Sequence, residues 1–191
     1  MRVSKNNLGN LKFEIICLCI VLVGVAVGTL CFLTDVDLSF LSDIFYKNHE
    51  SNGLLSGEVF LKYFLFGSFV LLVIFLCGFS AVYQPLIFLS SLFVGICYGF
   101  PIAEIYSYEI SGGLLFAVLT VVIPCLITVF ALMIACREAF YLSVSIAGAI
   151  FSEKNFIGFK EAVRMYVVKF LVLEAIIAVG AFVRCLLFSF F

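Results

Sequence analysis

Long apolar stretches separated by short polar ones set the pattern of this chain. Apolar runs fill about residues 15–33, 60–82, 86–107 and 166–188, and a longer run over 113–150 is broken near 124. A hydrocarbon core of ~30 Å needs about 20 helical residues to cross it. Inside it every backbone N–H and C=O must be paired within the protein, which a helix does by itself. The pattern therefore predicts an all-α, polytopic transmembrane helix bundle of about five spans, with residues 1–191 forming a single integral membrane domain.

The punctuation between the runs refines this. Residues 1–12 are polar and basic, with Arg2, Lys5 and Lys12. The run after them is long for a signal peptide. Gly28-Thr29-Leu30-Cys31 matches neither a small-x-small cleavage site nor a lipid-attachment box, so an uncleaved helix is expected. Gly24 and Gly28 form a GxxxG pair that permits close helix approach. Residues 34–59 make the long exterior loop, in which Leu38, Leu41, Ile44 and Phe45 have the spacing of a short surface-lying amphipathic helix. Asn52-Gly53 marks a turn.

Gln84 and Pro85 break the second run, and the third begins at once at Leu86, which predicts a tight helical hairpin. Gly95 and Gly99 form another GxxxG pair, and Pro101 is expected to kink or end that helix. Gly112 and Gly113 open the fourth segment. From Leu114 to Phe151 a continuous helix would measure ~57 Å, far more than one span. It must break or turn, and Pro124 is the expected point. Either 113–136 is one kinked span followed by a surface helix, or 113–123 is a half-helix and 125–150 the span.

Composition agrees with the bilayer as solvent. The chain is 65% hydrophobic and 12% charged, and its mean hydropathy is +1.29. A soluble domain carries about twice that share of charge. The net charge is −1 with no basic cluster, which excludes nucleic acid as a partner. Eight cysteines lie in or beside apolar runs and read as small packing residues, not as a disulfide or zinc framework. Lys and Arg gather at residues 2–12 and 154–169, while the 34–59 loop is acidic. The positive-inside rule then places the N-terminus and the 152–165 loop in the cytoplasm.

Candidate chemistry is sparse. His49 is the single histidine, so a two-histidine metalloprotease helix is excluded. Gly78-Phe79-Ser80-Ala81-Val82 lacks the second glycine of a serine-nucleophile turn. Every Asp lies between residues 35 and 43, which excludes an intramembrane aspartyl pair. No catalytic, cofactor-binding or metal-binding residue is assigned. The candidate intramembrane polar site is Arg137, Glu138 and Glu174. Ionisable groups in lipid usually face the bundle interior. The functional reading is an ion, proton or substrate path; the structural one is an Arg137–Glu174 pair, or an interfacial Arg137 that snorkels.

The stretches "GFSAVYQPLIFLSSLFVGICYGF" and "GGLLFAVLTVVIPCLITVFALMIA" resemble the stage II sporulation protein M family of bacterial membrane proteins. The likeness rests on a span, the Pro85 turn, a third span with Gly95 and Gly99, the Gly112 and Gly113 start, and an apolar run broken by Pro124. Asn7 and Asn10 before the Gly24/Gly28 helix fit it too. Many relatives carry His-Gly and then Glu just after the central proline, where this chain has Cys125, Leu126 and Ile127. The resemblance implies a non-enzymatic component of the cytoplasmic membrane that anchors or organises partners, namely peptidoglycan hydrolases in engulfment, or associates with itself. The alternative expectation is a small-molecule or ion transporter, or a permease subunit of one.

Overall fold

The computed structural model describes residues 2–34, 56–80, 82–107, 122–152 and 159–190. Its elements are helices α1 (Arg2–Leu33), α2 (Ser56–Gly78), α3 (Gln84–Ser107), α4 (Ile123–Ser152) and α5 (Phe159–Phe190). No strand occurs among the described residues. All five helices contain a segment long and apolar enough to cross a bilayer: Phe13–Leu33, Phe60–Gly78, Gln84–Ala103, Ile123–Ala149 and Lys160–Leu187. The chain is an all-α, multi-pass membrane protein. The surface helix expected within 34–59, His49, Gly112 and Gly113 lie outside the described residues.

Side-chain contacts fix the directions of the helices. Phe13 meets Phe88 at a ring separation of 5.6 Å and Phe32 meets Phe100 at 5.4 Å, so α1 and α3 run parallel. On α2 and α5, Phe75 stacks on Tyr166 at 5.2 Å, while the Arg184 guanidinium lies 4.7 Å from the centre of the Tyr63 ring, so these two are antiparallel. Helix α4 runs parallel to α2, with Thr128 beside Tyr63 and Ser143 Oγ donating to the Ser80 carbonyl at 2.8 Å. One end of the bundle therefore holds Phe13, Phe79, Ser80, Gln84 and Tyr166. The other holds Leu33, Phe60, Ala103, Ile123 and Leu187.

The two GxxxG pairs meet each other. A Cβ on Gly24 would sit 2.9 Å from the Gly95 Cα, and one on Gly28 would sit 2.5 Å from the Ile96 carbonyl oxygen. A Cβ on Gly99 would lie 2.9 Å from the Val25 Cα and carbonyl carbon. Glycine is required on both helices because backbone touches backbone. In lipid no hydrophobic drive holds helices together, so this close van der Waals contact is what joins α1 to α3.

The proline expectations separate. Pro85 sits in the first turn of α3, where a missing N–H costs nothing. The preceding helix stops at Gly78, short of the expected Val82, and the Phe79 and Ser80 amides close turns onto Leu76 and Cys77, each at 3.2 Å. Pro101 is buried, and α3 runs on past it to Ser107, so it does not end the helix. Pro124 lies in the first turn of α4 as described, where a missing N–H costs little, and the backbone before residue 122 that a kink would involve lies outside the described residues. Within the described part of the fourth segment, the stretch long and apolar enough to cross is Ile123–Ala149. Residues 113–121 lie outside the described part. Thr128 Oγ1 donates to the Pro124 carbonyl at 2.9 Å.

All eight cysteines are free, and Cys17, Cys77, Cys97, Cys125 and Cys136 are buried. They fill narrow gaps between helices, as Cys136 Sγ does 3.4 Å from Ser91 Oγ. Phe93, Phe130 and Leu171 point outward, where lipid would meet them.

Candidate functional site

Polar side chains inside the spans gather at three places, one toward each end of the bundle and one near its middle. At the end holding Phe13, the Arg137 guanidinium of α4 bridges two carboxylates. Its Nη1 donates to Glu14 Oε1 of α1 at 2.5 Å, and its Nη2 to Glu138 Oε1 at 3.0 Å. The other oxygen of Glu138 accepts from Lys169 Nζ of α5 at 2.6 Å. Four charges thus tie α1, α4 and α5 in one chain of alternating sign. Glu138 is the best shielded, its side chain 15% exposed. One of the structural readings of the sequence paired Arg137 with Glu174. That pair does not form, because Arg137 faces α1 while Glu174 faces α2. A carboxylate partner for Arg137 was nonetheless the right chemistry.

Toward the opposite end lies a second cluster. Arg184 of α5 is 3% exposed and stands over the Tyr63 ring of α2. The Tyr63 hydroxyl is 3.1 Å from the Tyr98 hydroxyl of α3 and 3.0 Å from Thr128 Oγ1 of α4. Tyr63, Tyr98 and Thr128 are all at most 1% exposed. With the Thr128 hydroxyl donating to the Pro124 carbonyl, the Tyr63 hydroxyl donates to Thr128 and accepts from Tyr98. A desolvated guanidinium over an aromatic face is worth ~2 kcal/mol. Four helices meet in this cluster, and it covers the start of α4.

Replacing Tyr63 with Phe removes the hydroxyl shared by Tyr98 and Thr128 but keeps the ring under Arg184. The expected loss is about 1–2 kcal/mol. Tyr63→Leu should cost more, since the cation–π contact goes too. Thermal unfolding in detergent checks both; equal midpoints for Tyr63→Phe and wild type would refute the shared-hydroxyl account.

The third feature is at mid-depth. Ser68 Oγ of α2 donates to Glu174 Oε1 of α5. Both residues line a cavity of about 290 Å³ along the outer seam of these two helices. Glu174 is partly exposed there. An acidic side chain at the bilayer centre costs about 3 kcal/mol on insertion.

Among the described residues no three His, Cys, Asp or Glu side chains come close enough to hold a metal ion. Among the described residues, the glycine and proline positions read from the sequence serve packing and helix ends and do not line this seam. Sequence reasoning singled out Arg137, Glu138 and Glu174, and Thr128 as a hydroxyl able to satisfy backbone groups beside Pro124, but passed over Glu14, Ser68, Tyr63, Tyr98 and Arg184. Arg184 carried a usable signal: one basic residue within an apolar span must face the interior or reach an interface. The tyrosines carried none, because single hydroxyls on apolar helices show no periodic mark.

No family model, curated protein or solved structure matches the chain.

Proposed function

We propose that this protein is a non-enzymatic membrane scaffold or partner subunit of a bacterial membrane complex, of the kind that remodels the cell wall during sporulation or engulfment. On this reading it sits in the cytoplasmic membrane. Its N-terminus and the Lys160 end of α5 face the cytoplasm, because basic residues concentrate there. The observation that carries the proposal is how the charges inside the spans are used. Glu14, Arg137, Glu138 and Lys169 clamp three helices together, and Arg184 is held over the Tyr63 ring. Groups arranged in this way brace a frame and do not step along a path. The resemblance in the Gly and Pro pattern to the stage II sporulation protein M family points the same way, toward a protein whose partners, peptidoglycan hydrolases among them, hold the catalytic groups.

The test is purification of the tagged chain from its native membrane in mild detergent. A second membrane or wall-directed protein should co-elute in fixed stoichiometry. Elution of the chain by itself, from membranes shown to contain all native proteins, would overturn the proposal.

A transporter, or a permease subunit of one, is the second reading, and the mid-depth Glu174 is what favours it. Reconstitution separates the two. Solute or ion flux in proteoliposomes that Glu174→Gln abolishes would establish the second reading. Absence of flux together with co-elution would establish the first.

A further inference from the structure

The seam between α2 and α5 holds an arrangement that bulk lipid does not satisfy. Ser68, Leu71, Leu72 and Phe75 line it from α2, at spacings that put them on one helical face. Val167, Phe170, Leu171 and Glu174 line it from α5 with the same spacing. Because the helices are antiparallel, the polar pair Ser68 and Glu174 sits at one end of the groove and Phe75 with Val167 at the other. Glu174 is near the middle of the span Lys160–Leu187, and Ser68 near the middle of Phe60–Gly78. The groove thus begins at mid-depth with a carboxyl group and runs toward the Tyr166 end of the bundle with apolar walls. Leu72 and Leu171 are more than half exposed.

We propose that this groove seats a transmembrane helix of another protein, one carrying a lysine or arginine at mid-depth that hydrogen-bonds to Glu174. This deepens the partner-subunit reading above and rests on it. Three observations choose the occupant. First, the groove lining includes a carboxyl group and no cation, and among the described residues Ser68 is the hydrogen-bond partner of Glu174. Second, a phospholipid fits the wrong way round. Its head would lie at the membrane surface beside Phe75 and Val167, and the ends of its chains would meet the carboxyl group. A helix, in contrast, can place a polar side chain at any depth.

Third, a second copy of this chain lacks the complement. Among the residues whose side chains are described, its exposed basic residues are Lys62, Lys160, Arg164 and Lys169, all toward the span ends, and Lys169 already engages Glu138. A two-fold contact through this seam would instead bring two Glu174 carboxyl groups together. The walls supply close packing along both helices, and the carboxyl group sets depth and register, since a polar contact in lipid tolerates little slippage.

The experiment uses the full chain, fluorescently labelled, in phosphatidylcholine vesicles. The probes are labelled leucine–alanine host helices with a single lysine at the centre, with that lysine moved two turns toward one end, or with no lysine. Energy transfer reports association. The central-lysine helix should bind at least tenfold more tightly than either other helix. Glu174→Leu should erase that preference, and Glu174→Gln should weaken it. Glu174→Leu places an apolar side chain on a lipid-facing seam, so the fold should persist, and an unchanged unfolding midpoint verifies this. Equal binding of the three helices, or a preference that survives Glu174→Leu, would overturn the proposal. So would energy transfer between copies of the chain that depends on Glu174, which would put a second copy in the groove. Retention of spin-labelled phosphatidylcholine that depends on Glu174 would put lipid there, with the same consequence. The broader reading fails separately: if the Glu174→Leu chain still co-elutes with its native partner, the groove assignment falls and the partner-subunit function stands.

Discussion

Replacing Gly95 with leucine is expected to separate α1 from α3 and to destabilise the bundle by about 3 kcal/mol or more. The expectation follows from what the new side chain would meet. A Cβ at residue 95 would strike the Val21 carbonyl oxygen and sit 2.8 Å from the Gly24 Cα, and both are backbone atoms that no rotamer change moves aside. The helices must therefore part along the whole seam, so the loss is not confined to one contact. Gly99→Leu should behave alike, since its Cβ would meet Val25 backbone. Phe93→Leu is the control, because Phe93 is 46% exposed on the outer face of the same helix and should change little. Thermal aggregation of the three variants in one detergent decides the matter. Identical midpoints would show that the glycine contact does not hold the helices together.

The second large effect is expected at Arg137. Arg137→Met should cost about 2 kcal/mol, because it removes one ion from a partly shielded network and strands the carboxylate of Glu14 against the apolar Phe13 end of the bundle. Glu138 retains Lys169 and should suffer less. Adding Glu14→Gln to Arg137→Met should recover more than half of the loss, because the stranded charge then disappears. That recovery is the signature of a direct coupling in a double-mutant cycle. Additive losses in the double variant would mean that Arg137 and Glu14 do not act on each other. The side chains of Arg137 and Glu14 are 24% and 36% exposed, so the figure is set well below that of a fully buried pair.

Much of the fold was legible in the residues. Every span appeared as an apolar run of bilayer length, and the constraint is strong enough that few alternatives survive it. Pro124 stands out as the expected break because a helix from Leu114 to Phe151 would overrun the membrane, and α4 is described from Ile123 onward. The pairing of helices was not. In a soluble protein the core face is apolar and the other face polar, whereas here lipid and core ask for the same side chains, so periodicity does not separate them. Gly24 and Gly95 were readable as close-packing positions, but nothing in either segment says that they touch each other.

The candidate site was legible to the same degree. Arg137, Glu138 and Glu174 stand out by charge alone. Their partners do not: Glu14 is 123 residues from Arg137, and Ser68 is 106 residues from Glu174. Arg137 could be assigned a carboxylate by its chemistry but not the right one, because which side of α4 faces α1 is decided by packing. Tyr63, Tyr98 and Thr128 became a polar centre only when three helices brought ordinary side chains to one depth.

The pairing of α1 with α3 has a consequence for biogenesis. These helices run parallel, so α2 must pass back through the bilayer before α3 can reach its place beside α1. At typical synthesis rates, the 123 residues between Glu14 and Arg137 take roughly 6–25 s to emerge. Through that interval the Glu14 carboxylate of α1 stands unmatched, and its glycine stripe stays uncovered until Gly95 has emerged. A nascent chain halted before Gly95 would therefore present a ready self-association surface, one that vanishes when the ribosome delivers α3.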